Sequence, residues 1–179
     1  QSRSSAASDV YKRQIVNILR NSLAKVSNIK ESQRSGKPPK PFKTTSLQTS
    51  SKNNLGFQPR KTMSIAQRLY QEGLITYMRT DSIRLSDVAI KASREYISSN
   101  FSSEHLPSEP NFYGDSKNAQ AAHEAIRPSG ESFTTPQELL KKYKEDSDEF
   151  KLYELIFNVT IASQMSEARG ITKTIDLEV

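Results

Sequence analysis

Apolar positions follow a clear helical period in one segment near the end of the chain. From Asp148 to about Met165 they recur at close to 3.6 residues, which predicts an amphipathic helix. Ser147 stands directly before this segment, where a side-chain oxygen can cap the first turn. After Gly170 apolar and polar residues alternate instead, and this pattern predicts a strand.

Weaker helical patterns in the middle of the chain begin at residues that favour a helix N-terminus. The predicted helices run from Thr45 or Ser46 to about Gly56, from Thr62 to Glu72, from Ser86 to about Ile97, and onward from Thr135-Pro136. A further short helix is predicted over Asn118–Ile126, because Pro128 ends the pattern. Leu74 to Arg79 is predicted to be a short extended segment that a polar turn follows.

The N-terminal part of the chain has a different character. Residues 1–14 show no usable periodicity and resemble a translated adapter, so we expect a non-native or disordered leader. Residues 15–30 predict a helix that runs into a strand. Residues 31–43 predict a linker, because Gly36 and three prolines stand among lysines. Since the chain lacks an initial Met and stops within a strand-like run, we expect it to belong to a longer protein.

Together these patterns predict a mostly α fold with short β edges. Residues 46–165 are expected to form one helical domain. Residues 15–45 are expected to hold the end of an adjoining domain and a basic, proline-rich linker. Residues 166–179 are expected to form the first strand of an adjoining β-rich domain.

Composition removes several classes of function. The chain has no cysteine, which excludes disulfides, thiolate catalysis and cysteine-ligated metal sites. Its two histidines, His105 and His123, and its scattered carboxylates do not suggest a metal site. No apolar run approaches the roughly 20 residues of a membrane span, and no secretory signal stands at the N-terminus. These features predict a cytoplasmic protein without a membrane partner.

The net charge of +6 is unevenly distributed. Residues 1–61 carry a balance of +11, whereas residues 62–179 carry a balance of −5. A basic, Pro/Ser-rich lead joined to a mildly acidic globular part predicts contact with a polyanion. A solvated linker would give the same pattern, so charge alone leaves both interpretations open.

The extended segment over residues 74–79 would place two complementary side chains on one face. Because side chains alternate along a strand, Tyr77 and Arg79 are expected to point the same way. A guanidinium favours the ionised form of a neighbouring phenol, and it can bind two phosphate oxygens at once. Such a pair suits nucleophilic attack on a phosphodiester. A tyrosine at the edge of a core beside a solvated arginine has the same spacing, so both interpretations stay open.

A second pair of candidate residues lies in the predicted helix over Asn118–Ile126. His123 and Arg127 are four residues apart, so on a helix they would share a face and could hold successive phosphates. The alternative is a solvated helix face on which His123 is an ordinary polar residue.

Four segments together resemble sequence motifs of the type IA topoisomerases. Gly73–Ser82, GLITYMRTDS, resembles their active-site tyrosine motif, and Met78 is similar to the bacterial topoisomerase I branch. The other segments are Pro39–Gln48, which resembles PPxPFxTSxLQ, Thr62–Tyr70, which resembles TMxIAQxLYE, and Ala122–Pro128, which resembles AHEAIRP. Lys43 and residues 49–51 depart from the usual wording of the family. The four motifs occur in the family's order, and the resemblance extends over residues 15–179.

The resemblance implies a role for each candidate residue. Tyr77 corresponds to the nucleophile that becomes joined to a DNA 5′-phosphate, and Arg79 to an arginine that contacts the scissile phosphate. His123 corresponds to an active-site histidine that contacts DNA, and Arg127 is expected to support phosphate binding or the local structure. The implied activity is ATP-independent relaxation of negatively supercoiled DNA by transient single-strand cleavage, strand passage and religation.

The resemblance also implies parts that lie outside this sequence. The family's Toprim domain binds Mg²⁺ and supplies a glutamate as general acid, so the chain alone is expected to be inactive. The expected partners are single-stranded DNA and the remaining domains of the same monomeric enzyme, which is expected at the nucleoid. Two alternatives remain: a non-catalytic single-stranded-DNA-binding module, and the topoisomerase part of a reverse gyrase.

Overall fold

The computed structural model describes residues 3–114 and 123–178, which form two compact units. One unit combines the two ends of the chain, up to Gly36 and from Ala168 onward. The other unit comprises Lys37–Glu167. Both candidate pairs, Tyr77 with Arg79 and His123 with Arg127, lie in this second unit.

The first unit contains one helix and a two-stranded antiparallel sheet. Helix α1 spans Arg3–Asn21, strand β1 spans Lys25–Gly36, and strand β2 spans Ala168–Glu178. The strands pair from Lys25 opposite Glu178 to Gly36 opposite Ala168, with one irregularity between Val26 and Asn28. Side chains along both strands are exposed. The strand predicted after Gly170 is confirmed, and it begins three residues earlier, at Ala168.

The N-terminal expectations differ from the structure in two places. Helix α1 begins at Arg3, so residues 3–14 of the expected leader are helical, and the non-native origin of residues 1–14 stays a prediction. Its alanines, arginines and glutamine favour helix without an apolar stripe, which is why periodicity missed it. The linker expected over residues 31–43 is strand β1 as far as Gly36, and only the proline-rich part that follows has no regular structure.

The second unit is mostly α, as predicted. Its elements are α2 (Thr44–Leu55), α3 (Pro59–Gln71), α4 (Asp87–Asn100), a 3₁₀ turn (Ser103–His105), the single-turn α5 (Pro136–Leu139) and α6 (Asp148–Ser163). Helix α6 packs against α2, α3, α4 and α5. Its buried side chains occupy the middle of the core, and they include Leu152, Tyr153, Ile156 and Phe157.

Several predicted helix ends are confirmed. The hydroxyls of Ser86, Thr135 and Ser147 cap α4, α5 and α6 by accepting backbone N–H bonds. Gly56 ends α2 in the left-handed conformation, at φ 69°. The predicted cap at Thr62 is wrong, because α3 already begins at Pro59. Proline is favoured at the first helical position, and the buried Thr62 hydroxyl instead lies 3.1 Å from Ser51 Oγ.

Among the residues that the structure describes, none of the helices is both long and apolar enough to cross a membrane.

Candidate active site

Three of the sequence motifs meet around the segment that carries Tyr77. The backbone N–H of Ile126 donates to the carbonyl of Phe42 at 2.7 Å, which joins the first motif to the last. The tyrosine motif joins the last motif as well, because the N–H of Thr76 donates to the carbonyl of Arg127 at 2.9 Å. The N–H of Ser129 donates to the carbonyl of Leu74 at 3.0 Å. Residues far apart in sequence therefore form one hydrogen-bonded framework.

The side chain of Thr44, in the first turn of α2, fixes the far side of the same segment. Its hydroxyl donates to the carbonyl of Met78 at 2.8 Å and accepts the N–H of Thr80 at 2.9 Å. Its backbone N–H donates to the carbonyl of Thr80, also at 2.9 Å. The tyrosine segment is thus held on both sides of Tyr77.

Residues 74–79 are irregular rather than part of a strand ladder. Ile75 forms an isolated antiparallel bridge with Pro128, and bends occur at neighbouring positions. Ile75 and Met78 are buried, whereas Tyr77 and Arg79 are exposed on either side of Met78. Tyr77 and Arg79 are thus both exposed, although the regular strand that was to place them on one face does not form.

Tyr77 is accessible to a large ligand. Its side chain is 45% exposed, and its ring contacts the ring of Tyr70 rather than a closed apolar interior. A phenol in this position can be reached from solvent, as a nucleophile must be.

Arg79, two residues after the tyrosine, lines an open cleft together with His123. The cleft lies between the start of α2, the residues after Met78 and the residues before Ala125. Its lining consists of Lys43, Thr44, Thr45, Arg79, Thr80, Asp81 and His123. The side chains of Lys43, Arg79 and His123 thus line one space, a combination suited to binding phosphate. The structure brings together two of the residues that the sequence singled out.

The predicted helix over Asn118–Ile126 is wrong for the part that the structure describes. Residues 118–122 lie outside the described residues, and residues 123–125 have no regular structure. Ile126 pairs with Phe42 in an isolated bridge, so the backbone is extended there. His123 and Arg127 therefore do not share a helix face: His123 is exposed and Arg127 is buried.

The position of Arg127 does not support the predicted contact with DNA. Its residue is only 7% exposed, and its guanidinium donates to Glu124 at 2.8 Å and to the carbonyl of Pro128 at 2.7 Å. A third contact reaches the carbonyl of Gly130 at 3.3 Å. Because these protein groups already occupy both terminal nitrogens of the guanidinium, the structure favours the other expected role, local structural support.

Glu124 connects this arginine to the start of α4. Its carboxylate accepts the N–H of Ser86 at 2.6 Å and pairs with Arg127. Burial opposes ionisation of Glu124, but the hydrogen bonds from Ser86 and Arg127 outweigh it and lower the pKa of the carboxyl. The Glu124–Arg127 pair thereby fixes the segment that follows His123 to Ser86, the residue that caps α4.

We expect the Glu124→Gln substitution to lower the unfolding free energy of the chain by about 3 kcal/mol at pH 7. The substitution leaves the buried Arg127 charge without its counter-ion. Because the pKa of Glu124 is lowered on folding, its contribution is present above the ordinary pKa of 4.5. The contribution is lost as the pH falls through the lower folded value. Urea denaturation of both proteins at decreasing pH measures the difference.

The exposed Glu131 provides a matched control, since Glu131→Gln also removes one carboxylate from the same region. This control is expected to change stability by less than about 0.5 kcal/mol. Equal stability of Glu124→Gln and the unmodified chain at pH 7 would contradict the structural role. A stability difference between Glu124→Gln and the unmodified chain that stays constant as the pH falls would contradict the role of the Glu124–Arg127 ion pair.

The resemblance implies a Mg²⁺ ion, but the described residues do not fit one. Within residues 3–114 and 123–178, no three His, Cys, Asp or Glu side chains are grouped so that they could hold a metal. The cleft offers the carboxylate of Asp81 beside the cations of Lys43 and Arg79. The residues of this cleft are therefore not expected to bind the metal themselves.

Two residues near the site were not singled out in the sequence. Lys43 lines the cleft, and Tyr70 contacts the ring of Tyr77. Tyr70 stands inside a motif that resembles the family, which was the available signal, whereas Lys43 departs from the family's wording and had none. Only the folded chain shows which atoms they approach.

The comparisons with known proteins agree on one family. A family model described as DNA topoisomerase matches residues 1–179. A protein named DNA topoisomerase 1 from Streptomyces coelicolor is 45% identical over 160 residues, which cover 89% of this chain and 16% of the relative. The DNA topoisomerase 1 of Campylobacter jejuni is 45% identical over 170 residues, which cover 90% of this chain and 24% of the relative.

A solved structure is similar as well. The structure of full-length topoisomerase I from Thermotoga maritima matches with a TM-score of 0.72 and 37% sequence identity. The match covers 92% of this chain and 27% of the Thermotoga chain. The chain therefore spans only about a quarter or less of the length of the relatives to which it is similar.

Proposed function

The chain belongs to the bacterial type IA DNA topoisomerase family, and we propose that it is the tyrosine-bearing part of an enzyme that relaxes negatively supercoiled DNA. One observation carries the proposal: an exposed tyrosine lies two residues from an arginine that shares a cleft with a histidine and a lysine. This arrangement matches the chemistry of attack on a phosphodiester by a phenol.

The proposed step exchanges one phosphodiester for another. The phenolic oxygen of Tyr77 forms a bond to the DNA phosphorus while the bond from phosphorus to the 3′-oxygen breaks. The phenol proton leaves, and the 3′-oxygen takes up a proton, which gives a 5′-phosphotyrosine and a free 3′-hydroxyl. Because the two esters are similar in energy, strand passage and religation require no ATP.

The cleft residues have separate tasks in this step. The guanidinium of Arg79 binds the scissile phosphate and stabilises the negative charge that develops on its oxygens. His123 donates a hydrogen bond to DNA near that phosphate, and Lys43 adds a positive charge to the same cleft. A general acid and Mg²⁺ are proposed to come from other domains of a longer, monomeric parent protein, which acts in the cytoplasm at the nucleoid.

A second candidate function for the chain itself is non-catalytic binding of single-stranded DNA. The balance of +11 over residues 1–61 and the basic cleft favour such binding. The reverse-gyrase alternative is less favoured, because the relatives with 45% identity are named DNA topoisomerase 1. Helicase motifs upstream of this segment in the parent gene would instead support that alternative.

Covalent trapping separates the enzyme from the binding module. The chain alone is expected to form no denaturant-stable adduct with a single-stranded oligonucleotide, and addition of the remaining domains of the parent in trans is expected to produce one. Gel electrophoresis under denaturing conditions measures the adduct. Binding without any adduct in the complemented sample would favour the non-catalytic module.

We expect the affinity of the 179-residue chain for a single-stranded oligonucleotide to fall as salt rises. Neutralised phosphates release counter-ions, and two or three contacts predict a log–log slope of about −2. This slope corresponds to roughly a tenfold loss of affinity between about 50 and 200 mM salt. Fluorescence anisotropy at a series of salt concentrations measures the slope.

Two arginine variants show where this salt dependence arises. Arg79→Ala is expected to make the slope shallower by about 0.7, because one phosphate contact is lost. Arg60→Ala removes another exposed arginine side chain, which lies at the start of α3 and outside the cleft lining. This substitution is expected to change the slope less. A slope near zero for the unmodified chain, or equal slopes for both variants, would count against the cleft as the binding site.

A further inference from the structure

Tyr70, near the end of α3, contacts the proposed nucleophile directly. The ring centroids of Tyr70 and Tyr77 are 5.3 Å apart and their planes meet at 66°, which is an edge-to-face arrangement. Tyr70 remains 42% exposed, so the contact lies at the surface of the unit rather than in its core. The proposed reaction gives Tyr70 no chemical role.

The backbone of Tyr70 is firmly anchored. Leu69, its neighbour, is completely buried in the core. Arg68, on the other side of Leu69, donates from Nη2 to the carboxylate of Glu149 on α6 at 2.6 Å and from Nε at 2.9 Å. The end of α3 is therefore fixed to α6, and the ring of Tyr70 projects from a rigid support.

The turn between Tyr70 and Tyr77 is fixed as well. The N–H of Gly73 donates to the carbonyl of Tyr70, and the N–H of Leu74 donates to that of Leu69, both at 2.9 Å. Gly73 adopts φ +72°, a conformation that residues with side chains rarely adopt. Glu72 is tied at 2.6 Å both to Lys142 and to the hydroxyl of Tyr143. The two rings thus meet because the turn between them has a single, well-supported shape.

We propose that Tyr70 is a positioning residue, whose ring restricts the rotation of the Tyr77 side chain and holds its hydroxyl towards the cleft of Arg79. This inference rests on the proposed function. An exposed tyrosine without a neighbour samples several rotamers, and only some of them direct the phenol to a bound phosphate. A fixed ring beside Tyr77 raises the population of the rotamer that can react. The contact requires an aromatic ring at position 70 but not its hydroxyl.

The test compares three variants of the full-length parent protein. Under single-turnover conditions with saturating single-stranded oligonucleotide, Tyr70→Ala and Tyr70→Leu are expected to slow adduct formation about threefold to tenfold. Tyr70→Phe retains the ring and is expected to cleave at the unmodified rate. The Kd for DNA is expected to stay the same in all three, and the melting temperature to fall by at most a few degrees in Tyr70→Ala and Tyr70→Leu. Phe112→Ala, which removes an exposed ring from a loop away from α3, is the matched control.

A second readout needs no catalysis. In the NMR spectrum of the 179-residue chain, Tyr70→Leu is expected to remove the ring-current shift of the Tyr77 ring protons, whereas Tyr70→Phe is expected to keep it. Unchanged cleavage in Tyr70→Ala and Tyr70→Leu would overturn the inference, as would equal slowing in Tyr70→Phe. Loss of DNA affinity with a normal rate at saturation would overturn it in favour of a base-stacking surface. Adduct formation by Tyr77→Phe in the same assay would instead refute the proposed function.

Discussion

Replacement of Tyr77 with phenylalanine in the full-length parent is expected to reduce covalent DNA cleavage by about 10⁴-fold or more. The substitution removes only the hydroxyl, so no atom remains that can form the phosphotyrosine bond. The ring contact with Tyr70 is between the two rings, and it is expected to persist. Because Tyr77 is 45% exposed, the substitution is expected to leave the stability of the protein nearly unchanged.

Two measurements define this result. Denaturing electrophoresis after incubation with a labelled oligonucleotide reports cleavage, and anisotropy reports binding, which is expected to survive. Tyr96→Phe is a matched control, because it removes the hydroxyl of another tyrosine, on α4 and outside the cleft lining. A Tyr77→Phe protein that still forms adducts, or one that loses both DNA binding and its fold, would contradict the assignment.

The Arg79→Ala substitution is expected to lower the cleavage rate by about 10² to 10³ and the affinity for DNA much less. The guanidinium lines the cleft and is exposed, so its loss removes a positive charge from the site without disturbing the core. Its largest effect is expected in the transition state, where negative charge accumulates on the phosphate oxygens. Single-turnover cleavage and equilibrium binding separate the two effects.

Arg79→Lys separates the effect of the positive charge from that of the planar guanidinium. Lysine keeps the charge but not the planar pair of donors, so a rate between those of arginine and alanine is expected. Arg60→Ala again serves as the control outside the cleft. A normal cleavage rate in Arg79→Ala, or equal losses of rate and affinity, would show that Arg79 does not act on the transition state.

Those parts of the fold that depend on local sequence were predictable. Helix α6 has an apolar stripe of regular period and a serine cap, and both features act within a few residues of each other. The same holds for the caps at Ser86 and Thr135. The motif around Tyr77 and Arg79 also indicated the family, because its residue order is itself the signal.

The errors arose where distant residues determine the conformation. The backbone of Ile126 is extended because it pairs with Phe42, more than eighty residues earlier, and no local pattern reports this contact. Arg127 is buried with both terminal nitrogens bound to Glu124 and two carbonyls, so its positive charge was a misleading sign of a phosphate contact. The contact between Tyr70 and Tyr77 likewise depends on the shape of the turn at Gly73.

Identification of the residue joined to DNA tests the central claim most directly. After trapping of the adduct in the full-length parent and digestion with nuclease, trypsin would cut after Arg68 and Arg79 and release residues 69–79, which contain Tyr70 and Tyr77. Fragmentation mass spectrometry distinguishes the two. We predict a 5′-linked nucleotide on Tyr77; a nucleotide on Tyr70 or on any other residue would contradict the account.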